Sequence, residues 1–140
     1  MRAPRPALTI SRADSGLFLA TYFGPSIGSD RISIWTGQDH RSAFFADTES
    51  AVEYATTQAI EKDVYVGCGL RSRDLGPKER GRSADVTAIG GTWIDLDVVG
   101  GTHRKPNLFP DEATARAFLD DLTLLPTVVV HSGYSGFHQR

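Results

Sequence analysis

The chain has 140 residues, 40% of them apolar, and a formal net charge of -2. That fits one domain, or a compact domain with a fragment of a second, with a sizeable core, and is too little charge of the right sign to draw nucleic acid to the molecule as a whole. The longest apolar runs are a few residues, well short of the roughly 20 that cross a bilayer, and the lone Cys68 excludes an internal disulfide.

The basic Met1–Pro6 segment has no apolar stretch behind it, so residues 1–12 read as a frayed tail rather than a secretory signal, and the chain as a cytoplasmic protein. Asp14 or Ser15 is placed to cap a helix carrying Leu17, Phe18, Leu19, Tyr22 and Phe23, which Gly24-Pro25 stops. Ile32 and Ile34 then alternate with Arg31, Ser33 and Trp35. After a turn over Gly37–His40 comes Ala43–Ala46, so a hairpin or two neighbouring strands are expected. Ser50 and Glu53 have capping-box spacing, with Asp47 and Thr48 as rival caps, and Val52, Ala55, Ala59 and Ile60 recur near helical spacing over about 48–61.

Val64–Leu70 is β-branched and aromatic, a strand in which Gly67 and Gly69 mark close approach of a backbone or ligand and Cys68 reads as a small buried residue. The composition then turns basic. Arg71, Arg73, Lys78, Arg80 and Arg82 stand against Asp74 and Glu79 in a glycine-broken stretch that reads as a flexible loop, either a nucleic-acid contact or a solvated surface. A central strand is expected from about Val86 to Val99, interrupted at Gly90-Gly91. A second basic loop holds Arg104 and Lys105. Pro110-Asp111-Glu112 opens a helix with Ala113, Ala117, Phe118 and Leu122 on its apolar side, Leu125-Pro126 ends it, and Thr127–His131 forms a further strand.

The chemistry concentrates at Trp93-Ile94-Asp95-Leu96-Asp97-Val98. A period of two puts Asp95 and Asp97 on one strand face with Cα atoms roughly 6.5–7 Å apart, where two charges repel by about 2.5 kcal/mol at an effective dielectric near 20. A divalent metal held by oxygen ligands, with a phosphate completing its shell, is the usual occupant of such a pair, and solvent or an Arg is the plainer one. The β-α-β order from Asp95 to Val128 suggests neighbouring strands joined by a right-handed crossover. That brings Asp95 and Asp97 to the turn of Ser132, Gly133, Ser135, Gly136 and His138, whose backbone N–H groups suit a phosphate.

Together these segments resemble the archaeo-eukaryotic primase-polymerase superfamily, in particular the primase-polymerases of phages, plasmids and other mobile elements. The resemblance runs from about Ile32 to His138 through Ile34-Trp35-Thr36, Arg41-Ser42 with Phe44-Phe45, Asp63–Arg71, Trp93–Val98, Lys105-Pro106-Asn107 and Val129–Gly133. It implies an α+β, primase-like fold: an N-terminal α/β unit followed by an incomplete RRM-like β-α-β unit, with residues 13–140 a partial catalytic domain. It further implies that Asp95 and Asp97 bind Mg²⁺ or Mn²⁺. Gly136-Phe137-His138 resembles the motif that meets the incoming triphosphate, and Ser132 the serine that opens that turn. A nucleoside triphosphate and a single-stranded DNA template are the implied partners, with a fused or adjacent helicase a further one.

Family members carry a third acidic residue on a later strand. None follows His138, so the sequence predicts a truncated domain whose last strand cannot pair along its length and which is weakly active or inactive alone. Two other readings stand beside this one: a non-catalytic nucleic-acid-binding remnant using the basic loops, and a glycosyltransferase-like nucleotide-binding domain, which also uses Asp-x-Asp.

Overall fold

A computed structural model describes residues 9–99, 107–131 and 136–139, with His131 and the last four in backbone alone. The fold is α+β, built of three α-helices and small antiparallel sheets. Two compact units divide it, Met1–Gly90 and Gly91–Arg140.

The first unit begins with helix α1 (Arg12–Phe23), capped by Ser11, whose Oγ accepts a hydrogen bond from the Asp14 N–H at 3.1 Å. The cap lies a turn upstream of the Asp14 or Ser15 expected, leaving Asp14 as the first-turn acid that favours the positive helix end. Strands β1 (Ile32–Thr36) and β2 (Arg41–Phe45) form the expected antiparallel pair. Helix α2 (Thr48–Gln58) is capped by Asp47, which accepts from the Ser50 N–H at 2.7 Å, so the Ser50–Glu53 spacing falls inside the helix. Ile32 and Ile34 of β1 bury against Leu19, Tyr22 and Phe23 of α1 and Ala51 and Val52 of α2. The other β1 positions, Ser33 and Trp35, therefore belong to the face away from the helices.

The single strand expected over Val64–Leu70 is two short ones, β3 (Val64–Val66) and β4 (Gly69–Arg71). Strand β3 pairs with β1, giving the order β2-β1-β3, while β4 pairs with β5 (Val86–Ile89). The two glycines between explain the break. A Cβ at Gly67 would sit 2.1 Å from Ser33 Oγ, and one at Gly69 would sit 2.6 Å from a Val86 methyl, so each marks a close approach that a side chain would block. Cys68, between them, is half-buried, and its carbonyl accepts from the Tyr22 hydroxyl at 3.1 Å.

The long strand expected over Val86–Val99 is likewise two. Strand β5 closes the first unit, and β6 (Ile94–Asp97) opens the second, with the unit boundary at Gly90-Gly91. In the second unit, α3 (Glu112–Asp120) is capped by Asp111, which accepts from the Thr114 N–H at 2.7 Å. Its buried residues are Ala115 and Leu119, packed with Leu96. Ala113 and Ala117, expected on the apolar side, are exposed. Strands β7 (Val129–His131) and β8 (Gly136–Gln139) complete a sheet in the order β6-β8-β7, with β8 antiparallel to both neighbours.

This order corrects two expectations. The β-α-β strands β6 and β7 are not neighbours but hold β8 between them, a split β-α-β arrangement. The segment around His138 is not an unfinished edge, because every residue from Gly136 to Gln139 has a partner on β6 and those from Phe137 on also have one on β7.

Candidate functional site

Strand β6 pairs with β8 without a register shift: Ile94 with Gln139, Asp95 with His138, Leu96 with Phe137 and Asp97 with Gly136. An unbulged strand keeps its period of two, so Asp95 and Asp97 share a face. Leu96, 4% exposed under Ala115 and Leu119, shows that the opposite face is the one α3 covers. The two aspartates thus belong to the face turned from the helix, Asp95 exposed and Asp97 half-buried.

The register places His138 directly across from Asp95, where antiparallel Cα atoms lie roughly 4.5–5.5 Å apart. Across from Asp97 stands Gly136, a position with no side chain. The backbone of Asp97 is also held from the other side. Its carbonyl accepts from the Phe109 N–H at 3.0 Å, the Val99 N–H donates to the Phe109 carbonyl at 2.8 Å, and Val98 and Phe109 form a parallel bridge. The strand carrying both carboxylates is therefore fixed along both edges at its Asp97 end. Rigid placement of this kind is what a ligand site needs of its scaffold.

Ser132, Gly133 and Ser135, with the second basic loop at 104–105, lie outside the described residues. Among the described residues no group of three or more His, Cys, Asp or Glu side chains gathers in metal-binding proximity.

The first basic loop belongs to the first unit, and it is laid down against its sheet rather than flexible. The Ser42 N–H donates to the Pro77 carbonyl at 2.8 Å, which ties the loop to the outer edge of β2. Arg73, Lys78, Arg80 and Arg82 are exposed. Arg71 is not. It ends β4, is 8% exposed, and donates from Nη1 to the Gly69 carbonyl at 2.7 Å and from Nη2 to the Arg80 carbonyl at 3.4 Å. A Cβ at Gly81, whose φ of +82° suits glycine, would lie 2.7 Å from Arg71 Nε, so the loop presses onto the guanidinium. Its burial removes Arg71 from the set of residues placed to meet a nucleic-acid backbone.

Arg80 has an unexpected partner. Its guanidinium carbon lies 4.2 Å from the centroid of the Trp35 ring, which is also flanked by the rings of Tyr65 at 5.1 Å and His40 at 5.6 Å. Sequence reasoning gave Arg80 a nucleic-acid role but gave no role in a site to the three rings around it. The available signal was Trp35 itself, an aromatic on the polar phase of the β1 alternation.

Comparison with known protein families, with curated proteins and with solved structures found no match.

Proposed function

We propose that the second unit carries a nucleotidyltransferase-type site of the primase-polymerase kind, in which Asp95 and Asp97 hold a divalent cation together with a nucleoside triphosphate. One observation carries the reading: the two carboxylates share the face of an unbulged strand that is turned from α3, with the His138 position directly across from the first of them.

The donor set suits the ion. Mg²⁺ and Mn²⁺ prefer hard oxygen ligands and, where the protein supplies only one or two carboxylates, complete their shell with water and substrate phosphate. Bound there, the cation would supply charge neutralisation for the triphosphate and a lower pKa for an attacking hydroxyl. Asp95 and Asp97 contribute the negative charge that collects it. In the register Asp97 stands across from Gly136 and Asp95 across from His138, a residue type that can serve a phosphate as a donor.

Calorimetric titration of Mn²⁺ with a nucleoside triphosphate into the whole chain tests this. Weak binding is expected for the wild type, with most of it lost in Asp97→Asn, which keeps shape and removes charge. Equal affinity in both would overturn the reading. Running a sugar nucleotide alongside a deoxynucleoside triphosphate separates the glycosyltransferase-like alternative, which requires the former to bind better.

A further inference from the structure

We infer that the face of the first unit's sheet turned away from its helices is a stacking platform for single-stranded nucleic acid, centred on Trp35, Tyr65 and Arg80. The inference goes beyond the nucleotide site, and its residues all lie within Met1–Gly90.

Trp35 and Tyr65 are direct cross-strand partners on β1 and β3, so the two rings stand side by side on one sheet face. Tyr65 is 48% exposed, unusual for an aromatic ring that has a neighbour to pack on. Its exposure is what a base needs, because every base has a π face and stacking on an aromatic side chain is tolerant of sequence. The Arg80 guanidinium carbon lies over Trp35, 4.2 Å from the ring centroid, and no carboxylate among the described residues forms a salt bridge with it. A planar cation held on an indole offers its outer face to a second base and its N–H groups to phosphate. His40, at the turn between β1 and β2, borders Trp35 on another side.

Charge selects the occupant. Lys78, Arg80 and Arg82 are exposed on the stretch that runs beside β2, against the single acid Glu79 between them. Two acids near these strands have partners within the protein: the Lys62 ammonium lies 2.7 Å from Asp39, and Gln38 donates to Asp63 at 3.1 Å. Aromatic rings level with a short basic rim match a chain that alternates flat bases with phosphates. An apolar protein partner would leave the guanidinium and Lys78 desolvated without counter-charge.

The test uses the full chain with Trp93→Phe, so that Trp35 is the only tryptophan, in EDTA and without nucleotide. Titration with 12-mers of oligo-dT and oligo-U should quench Trp35 fluorescence, with oligo-dT and oligo-U distinguishing a DNA from an RNA partner. Tyr65→Ala should weaken binding about tenfold and Tyr65→Phe should not. Arg80→Lys, which keeps the charge but not the plane, should weaken it less than Arg80→Ala, and Arg80→Ala should lower the slope of log affinity against log salt by about 0.7. If Tyr65→Ala fails to fold, Tyr65→Leu, which keeps bulk and loses the π face, serves instead. Unchanged affinity in the Tyr65 variant overturns the platform. So does equal quenching by dextran sulfate, which would show a polyanion surface only. Loss of thermal stability in Arg80→Ala with undiminished binding would make the Trp35 contact a structural pin. Because the assay excludes metal and compares first-unit variants in one common Trp93→Phe background, its failure leaves the Asp95–Asp97 proposal standing, and the converse holds.

Discussion

Arg71 shows how little a charge count says about a single residue. The sequence places it first in a run of basic side chains, and nothing in that run distinguishes it from Arg73 or Arg80. The structure gives it the opposite task. Its Nη1 and Nη2 groups satisfy backbone carbonyls of β4 and of the loop, while Nε is buried with no hydrogen-bond partner among the described residues. Arg71→Ala should therefore lower stability by roughly 2–3 kcal/mol, because buried carbonyls lose their donors and a cavity opens under Gly81. Arg71→Lys should recover only part of this, since a single ammonium cannot span the same acceptors as a planar fork. Chemical denaturation of the two variants checks both statements, and Arg73→Ala, on an exposed side chain, should leave the midpoint within the range of ordinary surface changes. At Asp95 and Asp97 the sequence was more informative: strict alternation in an unbulged strand leaves one answer for which residues share a face. The partner across from Asp95 was not legible in that way, because it depends on which strand lies next to β6.

Elements were read well where local rules decide them. The β1–β2 pair, α2 and α3 stand close to their expected spans, since periodicity and an Asp directly ahead of the first turn act within a few residues. They were misread where tertiary contact decides. Nothing local to Val64–Leu70 states that Ser33 and Val86 crowd its glycines, so one strand was expected where two form. The β1–β2 turn adds a testable device. Lys62 Nζ, beyond the end of α2, donates at 2.7 Å both to Asp39 Oδ2 and to Gln58 Oε1, and Thr36 Oγ1 donates to the other Asp39 oxygen. The Lys62 hydrogen bond first, then that of Thr36, lowers the Asp39 carboxyl to about 2 from its ordinary 3.8. Asp47 and Asp111 are lowered as well, chiefly by the N–H groups of Ser50 and Thr114 that they cap. A group with a depressed folded-state pKa stabilises the fold above its unfolded value and stops doing so as pH falls through the folded one. Thermal stability should thus be level above about pH 4 and decline toward pH 2, and Asp39→Asn should flatten part of that decline. A melting series from pH 2 to 6 on both proteins measures it. An unchanged slope in the variant would show that the Lys62 contact contributes nothing in solution, a common outcome for exposed pairs.

At the scale of the molecule, the two units have unequal means. Among the described residues, the first unit's core runs from Leu19 to Leu70 with eight buried residues in one cluster, and the second's holds Leu96, Ala115 and Leu119 with Val98, Phe109 and Leu122 against them. Apolar burial is the main source of stability, and a unit of some fifty residues has little surface to bury. Residues 1–90 should therefore unfold cooperatively when produced alone, and in the whole chain the amides of β6 should exchange with solvent faster than those of β1. Hydrogen exchange followed by mass spectrometry reads both regions in one experiment. Among the described residues no helix is long and apolar enough to cross a membrane, as composition indicated. The boundary at Gly90-Gly91 was visible as a pair of glycines, but composition cannot say whether such a pair bends one strand or separates two units.

The position of β8 between β6 and β7 has a consequence for how the protein is made. Both outer strands precede the inner one in the chain, so β6 and β7 leave the exit tunnel before the strand that joins them. Until it appears, β6 offers an open edge on its β8 side, with exposed Ile94 and Trp93 close by, to any nascent strand or chaperone in reach. A nascent chain stalled so that residue 131 has just cleared the tunnel should remain sensitive to protease around Trp93, and emergence of residues 132–140 should protect it. Timing of synthesis, and not only the stability of the finished fold, then governs how much of the second unit escapes aggregation.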